Sequence, residues 1–310
     1  ISFNKNNIDK FSNGENNFKL YGSGWNGSAE PQYDYLVQEG GPVGQMYGYV
    51  TDGMYSFNDF TWNATTKSWD LNAGVPSNAT LISMGKYFGP GALKLKDISG
   101  PDGVPDGKIN EDDRTVIGNA NPVHTGGFGL NSTFKGFDIS AFFNWSFGND
   151  IYNANKIDNT SYLLTRRYQN LSSEMSLANR FTTIDPATGN NVYHGTYGDP
   201  VRLAELNQHA SIWHPIMTTT VFHSWAVEDG SFLRLNNLTF GYSLPQKLAR
   251  KLQMENFRIY ATGYNLFVLT NYTGPDPEVS TRRSTPLTPG VDYSAYPKAR
   301  SFVAGINVTF

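Results

Sequence analysis

From Phe137 to Gly148 the chain changes character at every residue. Phe137, Ile139, Ala141, Phe143, Trp145 and Phe147 alternate with Asp138, Ser140, Phe142, Asn144, Ser146 and Gly148. A period of two belongs to the β-strand, whose successive side chains leave by opposite faces. The pattern recurs: Phe128, Leu130 and Phe134 oppose Gly127, Gly129, Asn131, Thr133 and Lys135, and Leu238, Phe240, Tyr242 and Leu244 oppose Thr239, Gly241 and Ser243. Phe257, Ile259 and Ala261 oppose Arg258, Tyr260 and Thr262, and Phe302, Ala304, Ile306, Val308 and Phe310 oppose Ser301, Gly305, Asn307 and Thr309. These segments run to about ten residues, the length of a tilted strand crossing a bilayer.

A soluble sandwich also alternates, with its apolar face turned inward. Three features favour the membrane. The polar faces are Ser, Thr, Asn and Gly, where a soluble sheet would carry Lys and Glu. Only 16% of the 310 residues are charged, against about 25% in a typical soluble domain. Aromatics (Trp145, Phe147, Tyr242, Tyr264 and Phe310) stand near strand ends, where an interfacial girdle belongs.

The third feature is the connections. Lys135-Gly136-Phe137 and residues 245–254 are short, whereas 150–230 and 271–299 are long. Outer-membrane barrels have short periplasmic turns and long outside loops. With Phe310 at the periplasmic side, 300–310 descends, 255–268 ascends, 231–244 descends, 137–149 ascends and 123–135 descends. Every short connection then lies inside and every long one outside. The expected fold class is all-β, a transmembrane antiparallel β-barrel with long extracellular loops. About seven strands are expected, counting weak ones near 1–4 and within 17–55. Such a barrel needs an even number, at least eight, so these strands need partners to close. Ile1-Ser2-Phe3-Asn4 enters the alternation midway without Met or leader, so residues 1–310 are expected to be the C-terminal portion of a longer polypeptide.

Several function classes fall away. Lys+Arg 24 against Asp+Glu 27 leaves a net charge of -3, which offers no field for nucleic acid. Zero cysteines remove disulfides, thiolate zinc sites and thiol nucleophiles. No apolar run reaches the length of a membrane helix. There is no GxSxG elbow or clustered Ser/His/Asp set, and no carboxylate pair stands apart from the loop acids. The chain reads as a non-enzyme. His124, His194, His209, His214 and His223 have no metal-ligand spacing and read as structural or exposed. Trp25, Trp62, Trp69 and Trp213, in the long segments, either pack loops together or stack on sugars or peptides. Residues 150–230 form a long extracellular loop with a helical stretch expected over Ser161 to Phe181, through Leu163, Leu164, Tyr168, Leu171, Met175 and Leu177.

One segment, 97–113, carries metal chemistry. Calcium takes several hard oxygens on a sharply turning chain with Gly at position six. Counting from Asp102 gives Asp102 at one, Asp106 at five, Gly107 at six, the Lys108 carbonyl at seven, Asn110 at nine and Asp113 at twelve. Ile109 at eight anchors the turn. Val104 offers no side-chain oxygen at three, and Asp113 is shorter than the usual Glu, so Asp97 and Ser99 are candidates for the missing ligands. The bland reading is an Asp/Gly-rich turn holding water. The expected set is Asp97, Asp102, Asp106, Lys108, Asn110 and Asp113 around a structural Ca2+.

The run Lys108-Ile109-Asn110-Glu111-Asp112-Asp113-Arg114-Thr115-Val116-Ile117-Gly118-Asn119, with Pro122, resembles the DGxIxxxDRTVIGNxxP signature of the SusC/RagA-type TonB-linked outer-membrane transporters. Further resembling stretches follow in that family's order. They are Phe134-Lys135-Gly136-Phe137-Asp138, Gly148-Asn149-Asp150-Ile151-Tyr152-Asn153, Glu228-Asp229-Gly230-Ser231-Phe232-Leu233-Arg234-Leu235-Asn236-Asn237, Gly241-Tyr242-Ser243-Leu244-Pro245, Tyr264-Asn265-Leu266-Phe267 and Tyr272-Thr273-Gly274-Pro275-Asp276-Pro277-Glu278. Upstream, Gly48-Tyr49-Val50-Thr51-Asp52-Gly53-Met54-Tyr55 resembles its YGYVTDGIF stretch. The resemblance covers nearly all of this chain and the last third or so of a family member.

It implies a 22-stranded barrel with an N-terminal plug, in the outer membrane among lipid and lipopolysaccharide. It further implies a SusD-like surface lipoprotein as a lid and a TonB complex acting on the plug. The cargo would be oligosaccharides or peptides, and this chain would contribute wall and extracellular loops. A second reading stays open: a secreted calcium-dependent β-sandwich that binds or hydrolyses glycans. A third is an adhesive barrel without transport.

Overall fold

The computed structural model describes residues 1–11, 17–25, 32–100, 102–163, 170–281 and 285–310. Its frame is one six-stranded antiparallel sheet in chain order: β1 (Ser2–Phe3), β2 (His124–Phe134), β3 (Phe137–Phe147), β4 (Phe232–Ser243), β5 (Asn256–Thr270) and β6 (Ser301–Thr309). The five alternating segments of the sequence are its five long strands. Directly paired residues share a face, and the register keeps the alternation in step. Phe128 pairs with Phe143, Ile139 with Phe240, Phe240 with Ala261 and Ile259 with Ile306. One face is therefore apolar from β2 to β6 and lies open, with Phe240 51% and Ile306 64% exposed.

β2 and β3 are joined by Lys135 and Gly136, whose φ angles are 48° and 90°. Two successive positive φ values make a type I′ turn, whose twist matches that of the strands it joins. A Cβ on Gly136 would come within 2.7 Å of the Ser243 carbonyl oxygen, so that turn packs against the next strand end. β4 and β5 are joined through a short helix, Gln246–Lys251. Both short connections lie at one end of the sheet, and the long connections 4–123, 148–231 and 271–300 lie at the other.

β4 departs from strict alternation at Asn236. Phe142 and Phe143 pair with Asn237 and Leu235, leaving Asn236 unopposed. The inserted residue changes the phase of the strand. Leu233 and Leu235 thereby share the apolar face with Leu238, Phe240 and Tyr242, although their parity differs.

The buried side chains gather in the long connections. One cluster centres on Tyr55, Ile82, Leu93, Leu95 and Ile109. A second joins Trp25, Tyr35, Met46, Tyr152 and Phe222, and a third joins Phe181, Val192, Tyr193 and Leu203. The loops thus pack on one another into a cap above the sheet. Asp150–Asn153 pairs with Val227–Asp229 and, in parallel, with Val291–Asp292, tying two of the connections together.

Among the described residues five long strands and the two-residue β1 form the wall, against about seven expected. The weak strand expected within 17–55 belongs instead to a separate antiparallel sheet of Phe18–Tyr21, Tyr35–Gln38, Gln45–Gly48 and Thr115–Asn119. That sheet lies in the cap, where Tyr35 and Met46 are wholly buried. Of the expected helical stretch, the described residues hold one turn of 3-10 helix, Ser173–Met175; Leu164 and Tyr168 lie outside the described residues. Two short α-helices flank that stretch, Ala154–Thr160 and Pro200–Leu206. Among the described residues no helix is long and apolar enough to cross a membrane.

Candidate transport surface

The sheet's second face carries Asn131, Thr133, Ser140, Asn144, Thr239, Thr262 and Asn307, because each is one residue out of phase with an apolar neighbour. Thr239 and Thr262 share a hydrogen bond of 2.9 Å across β4 and β5. Two charges interrupt this neutral surface near the short-turn end. Arg258 donates from Nε to Asp138 Oδ1 at 3.0 Å and from Nη2 to Oδ2 at 2.6 Å, a two-pronged contact reaching over β4. Gly241 lies beneath it, and a Cβ there would approach both the guanidinium and the carboxylate to 2.5 Å. Glycine at 241 is thus what lets the pair form.

At the cap end the same face is covered by residues 276–278. Arg234 of β4 is 3% exposed; its Nη2 donates to Asp276 Oδ1 at 2.6 Å, and its Nε lies 2.8 Å from Glu278 Oε2. Lys298 also pairs with Glu278, and Asn144 of β3 donates to Glu278 Oε1 at 3.3 Å. Beside this network a cavity of about 570 Å³ opens between Thr125, Asn144, Ser146 and the loop residues Glu278 to Ser280. A second, of about 440 Å³, lies within the cap and is lined by Asn155, Lys156, Asn159, Ser172, Thr273 and Ser294. Glu228 organises its edge, accepting from Asn153 Nδ2 and from the Thr273 amide and hydroxyl, each at 2.9 Å. Ser172 Oγ is buried there without a hydrogen-bond partner among the described residues. These walls mix hydroxyls and amides with a few charges, Lys156 and Glu174 in the second cavity and Glu278 in the first, and so offer hydrogen bonds to a hydrated solute.

The residues of 97–113 are only partly brought together. Asp113 is fully buried, and its carboxylate accepts three backbone amides: Ile98 at 2.8 Å and Ser99 at 3.1 Å on Oδ1, Asn110 at 2.8 Å on Oδ2. Asp97 Oδ2 accepts the Gly107 amide at 2.7 Å, while its Oδ1 is buried with no partner among the described residues. Asp106 Oδ1 accepts the Lys108 amide at 2.9 Å, and Asn110 Oδ1 accepts the Asp112 amide at 2.7 Å. Asp102 is exposed at the tip. Ile109 is 1% exposed and anchors the turn in the cap core. No three acids or imidazoles converge as a metal cluster among the described residues.

The tryptophans mostly pack loops. Trp25 donates to the Tyr152 hydroxyl at 2.6 Å, Trp69 to the Tyr193 carbonyl at 3.0 Å, and Trp213 stacks edge-on against Trp225. Trp62 lies edge-on to Trp69. All five histidines are tied to the fold, exposed His209 through the Leu177 carbonyl oxygen 3.2 Å from its Nε2. His124 bonds to Trp145 Nε1 at 3.0 Å, and His194 lies edge-on to Tyr87 with its imidazole held below its usual pKa by burial and the nearby Lys86. Buried His214 and His223 bond to the Tyr87 carbonyl and the Thr51 hydroxyl. Asp138 and Arg234 fall inside stretches that resemble the family, Arg258 does not, and none of the three is singled out there as a pairing residue. Their only pairing signal is a charge at a polar position of an otherwise neutral strand.

Comparison with known proteins places this geometry. No family model matches the chain. It is 30% identical to TonB-dependent receptor P39 of Formosa agariphila over 89% of this chain and 26% of that protein. TonB-dependent receptor P3 of the same organism is 29% identical over 89% of this chain and 23% of its own length. TonB-dependent receptor SusC of Bacteroides thetaiotaomicron is 31% identical over 39% of this chain and 10% of its own. The fold superposes on the RagAB peptide transporter with a TM-score of 0.63 and 21% identity, over 99% of this chain and 26% of that one. The chain belongs to the SusC/RagA family of TonB-dependent receptors. It spans about a quarter of the length of the Formosa relatives. As part of a TonB-dependent receptor, the six-stranded sheet is a section of an outer-membrane barrel wall. Its polar face is the lumenal one, and the cap is built from loops of that wall.

Proposed function

We propose that this chain forms wall and extracellular cap of a TonB-dependent importer for oligosaccharides or peptides, working under a SusD-like surface lipoprotein. The observation that carries the reading is a sheet face of mainly neutral Ser, Thr and Asn side chains, its charges held in pairs, with a polar cavity beside it at the cap end. Neutral groups of this kind replace the hydration of a sugar or a peptide backbone without demanding a charge. The TonB complex would act through the plug, which belongs to the rest of the receptor. The glycan-binding sandwich is disfavoured because a sandwich buries its apolar face, and here that face is open. Deleting the gene and feeding single nutrients tests the proposal. Growth should fail on one class of oligosaccharide or peptide, and a SusD-like lipoprotein should co-purify with the tagged receptor. Normal growth on every such nutrient would favour an adhesive barrel.

We further propose a structural calcium in the 97–113 segment. Asp97 Oδ1 and the outer oxygen of Asp106 are the side-chain donors open to it, with backbone oxygen such as the Lys108 carbonyl completing a hard-oxygen set. In this arrangement Asp113 serves as a backbone cap, and Asp102 and Asn110 would have to turn inward to join. A resident ion would fix the loop against the cap core through Ile109. With calcium at a hundredfold its dissociation constant, the cap should gain about 2.7 kcal/mol. A melting temperature of the purified receptor that is the same in EGTA and in millimolar calcium would contradict the site.

A further inference from the structure

The lipid-facing side of the sheet is not uniform. Near the short-turn end it holds a groove of about 590 Å³, walled by Phe137, Phe240, Tyr242 and Ile259 and floored where Ala261 pairs with Ala304. Small side chains between large rings leave a slot along the strands, open toward the membrane and closed behind by the sheet.

Basic residues stand in both short connections at this end of the sheet. Lys135, in the I′ turn, holds its ammonium over the Phe134 ring at 5.2 Å, on the apolar side of the sheet. The helix Gln246–Lys251 adds exposed Lys247, Arg250 and Lys251, while Ala249 is buried against the sheet end. Leu248 and Leu252, four residues apart, are 47% and 60% exposed. Between Ser243 and Asn256 the single acid is Glu255. A short helix with two exposed leucines and three exposed cations matches an element lying in a membrane interface. This end of the barrel meets the inner, phospholipid leaflet if the short turns are periplasmic.

We propose that this corner is a binding site for one anionic glycerophospholipid. Its acyl chain fills the slot over Ala261 and Ala304, and its phosphate rests among Lys135, Lys247, Arg250 and Lys251. Charge complementarity selects the headgroup, and the apolar slot holds the chain. The assignment rests on the orientation of the wall and is independent of which solute is imported.

The test uses the full-length receptor in mild detergent, with phosphatidylglycerol and phosphatidylcholine of matched chains titrated separately and read by native mass spectrometry. The receptor should bind phosphatidylglycerol about tenfold more tightly than phosphatidylcholine, since each basic side chain adds attraction to an anionic lipid. The K247A/R250A/K251A variant should lose that preference while keeping its weak affinity for phosphatidylcholine. Arg250→Gln alone should reduce the preference in part, and serves if the triple variant fails to assemble. Ala261→Leu, which fills the slot, should weaken both lipids alike. Equal binding of the two lipids by the unaltered receptor, or a preference that survives the basic substitutions, would overturn the site. Because the readout is lipid binding, a failure of the import reading leaves the result unaffected.

Discussion

Arg234 shows what single residues do at the boundary between wall and cap. A guanidinium buried to 3% exposure beside Asp276, itself 4% exposed, forms the contact that fastens the 271–300 connection onto the lumenal face. Removing one member of a buried pair strands the other charge, at a cost of about 3–5 kcal/mol. Arg234→Ala is therefore expected to loosen that connection and open it to protease in folded receptor. Pairing it with Asp276→Asn should recover most of the loss, and equal protease resistance of Arg234→Ala and unaltered receptor would remove the pair from the account. Acid acts on other residues. Burial holds His214 down to about 4, and burial with the nearby Lys156 charge holds His223 down to about 3, from an ordinary 6.5. Below pH 6.5 the unfolded imidazoles take protons that the folded ones refuse, so cap stability is lost as pH falls toward these values. Asp34 opposes this, since burial raises its carboxyl to about 6 despite the Ser23 hydrogen bonds. Its contribution is full below about pH 4 and fades as pH climbs through 6. Two imidazoles outweigh one carboxyl, so thermal melts should show lower cap stability at pH 5 than at pH 7.5. Asp34→Asn should deepen that drop and His223→Gln should shrink it.

At the scale of elements, legibility followed side-chain period. Strands β2 to β6 were visible because each turns a greasy and a neutral polar side, and that contrast is written every second residue. The I′ turn was visible through Lys135-Gly136 between two such strands. Gly136, at φ 90° and pressed on the Ser243 carbonyl, admits no side chain without strain, and Gly136→Val should destabilise the hairpin by about 1–3 kcal/mol. Heat-modified mobility of the barrel on a gel would register the change, and an unshifted transition would argue against it. The bulge at Asn236 was hidden, because a phase change within a strand looks like the end of a strand. The small sheet holding Tyr35 and Met46 was hidden too. Its strands run only four or five residues, too short for an alternation to stand out in the sequence. In the 97–113 segment, spacing marks Asp106 and Asp113 as candidate ligands but cannot tell that Asp113 spends its oxygens on three backbone amides. The Asp138–Arg258 contact joins residues 120 positions apart, which only the register of β3, β4 and β5 brings together.

For the whole molecule, the division of apolar surface is the main finding. A water-soluble domain buries its sheet face and leaves its loops thin, whereas here the loops hold the core and the sheet face is open. That inversion is stable only where lipid covers the sheet. The chain has no cysteine, so single introduced thiols report one position each. The most direct measurement places Cys in turn at Ile139, Phe240 and Ile306, and at Ser140, Thr239 and Asn307, in full-length receptor assembled in membranes and otherwise free of cysteine. A water-soluble maleimide should label the second set through the lumen and leave the first set unlabelled. Labelling of both sets alike, or of the first set alone, would contradict the assignment of lipid and lumen faces on which the account depends.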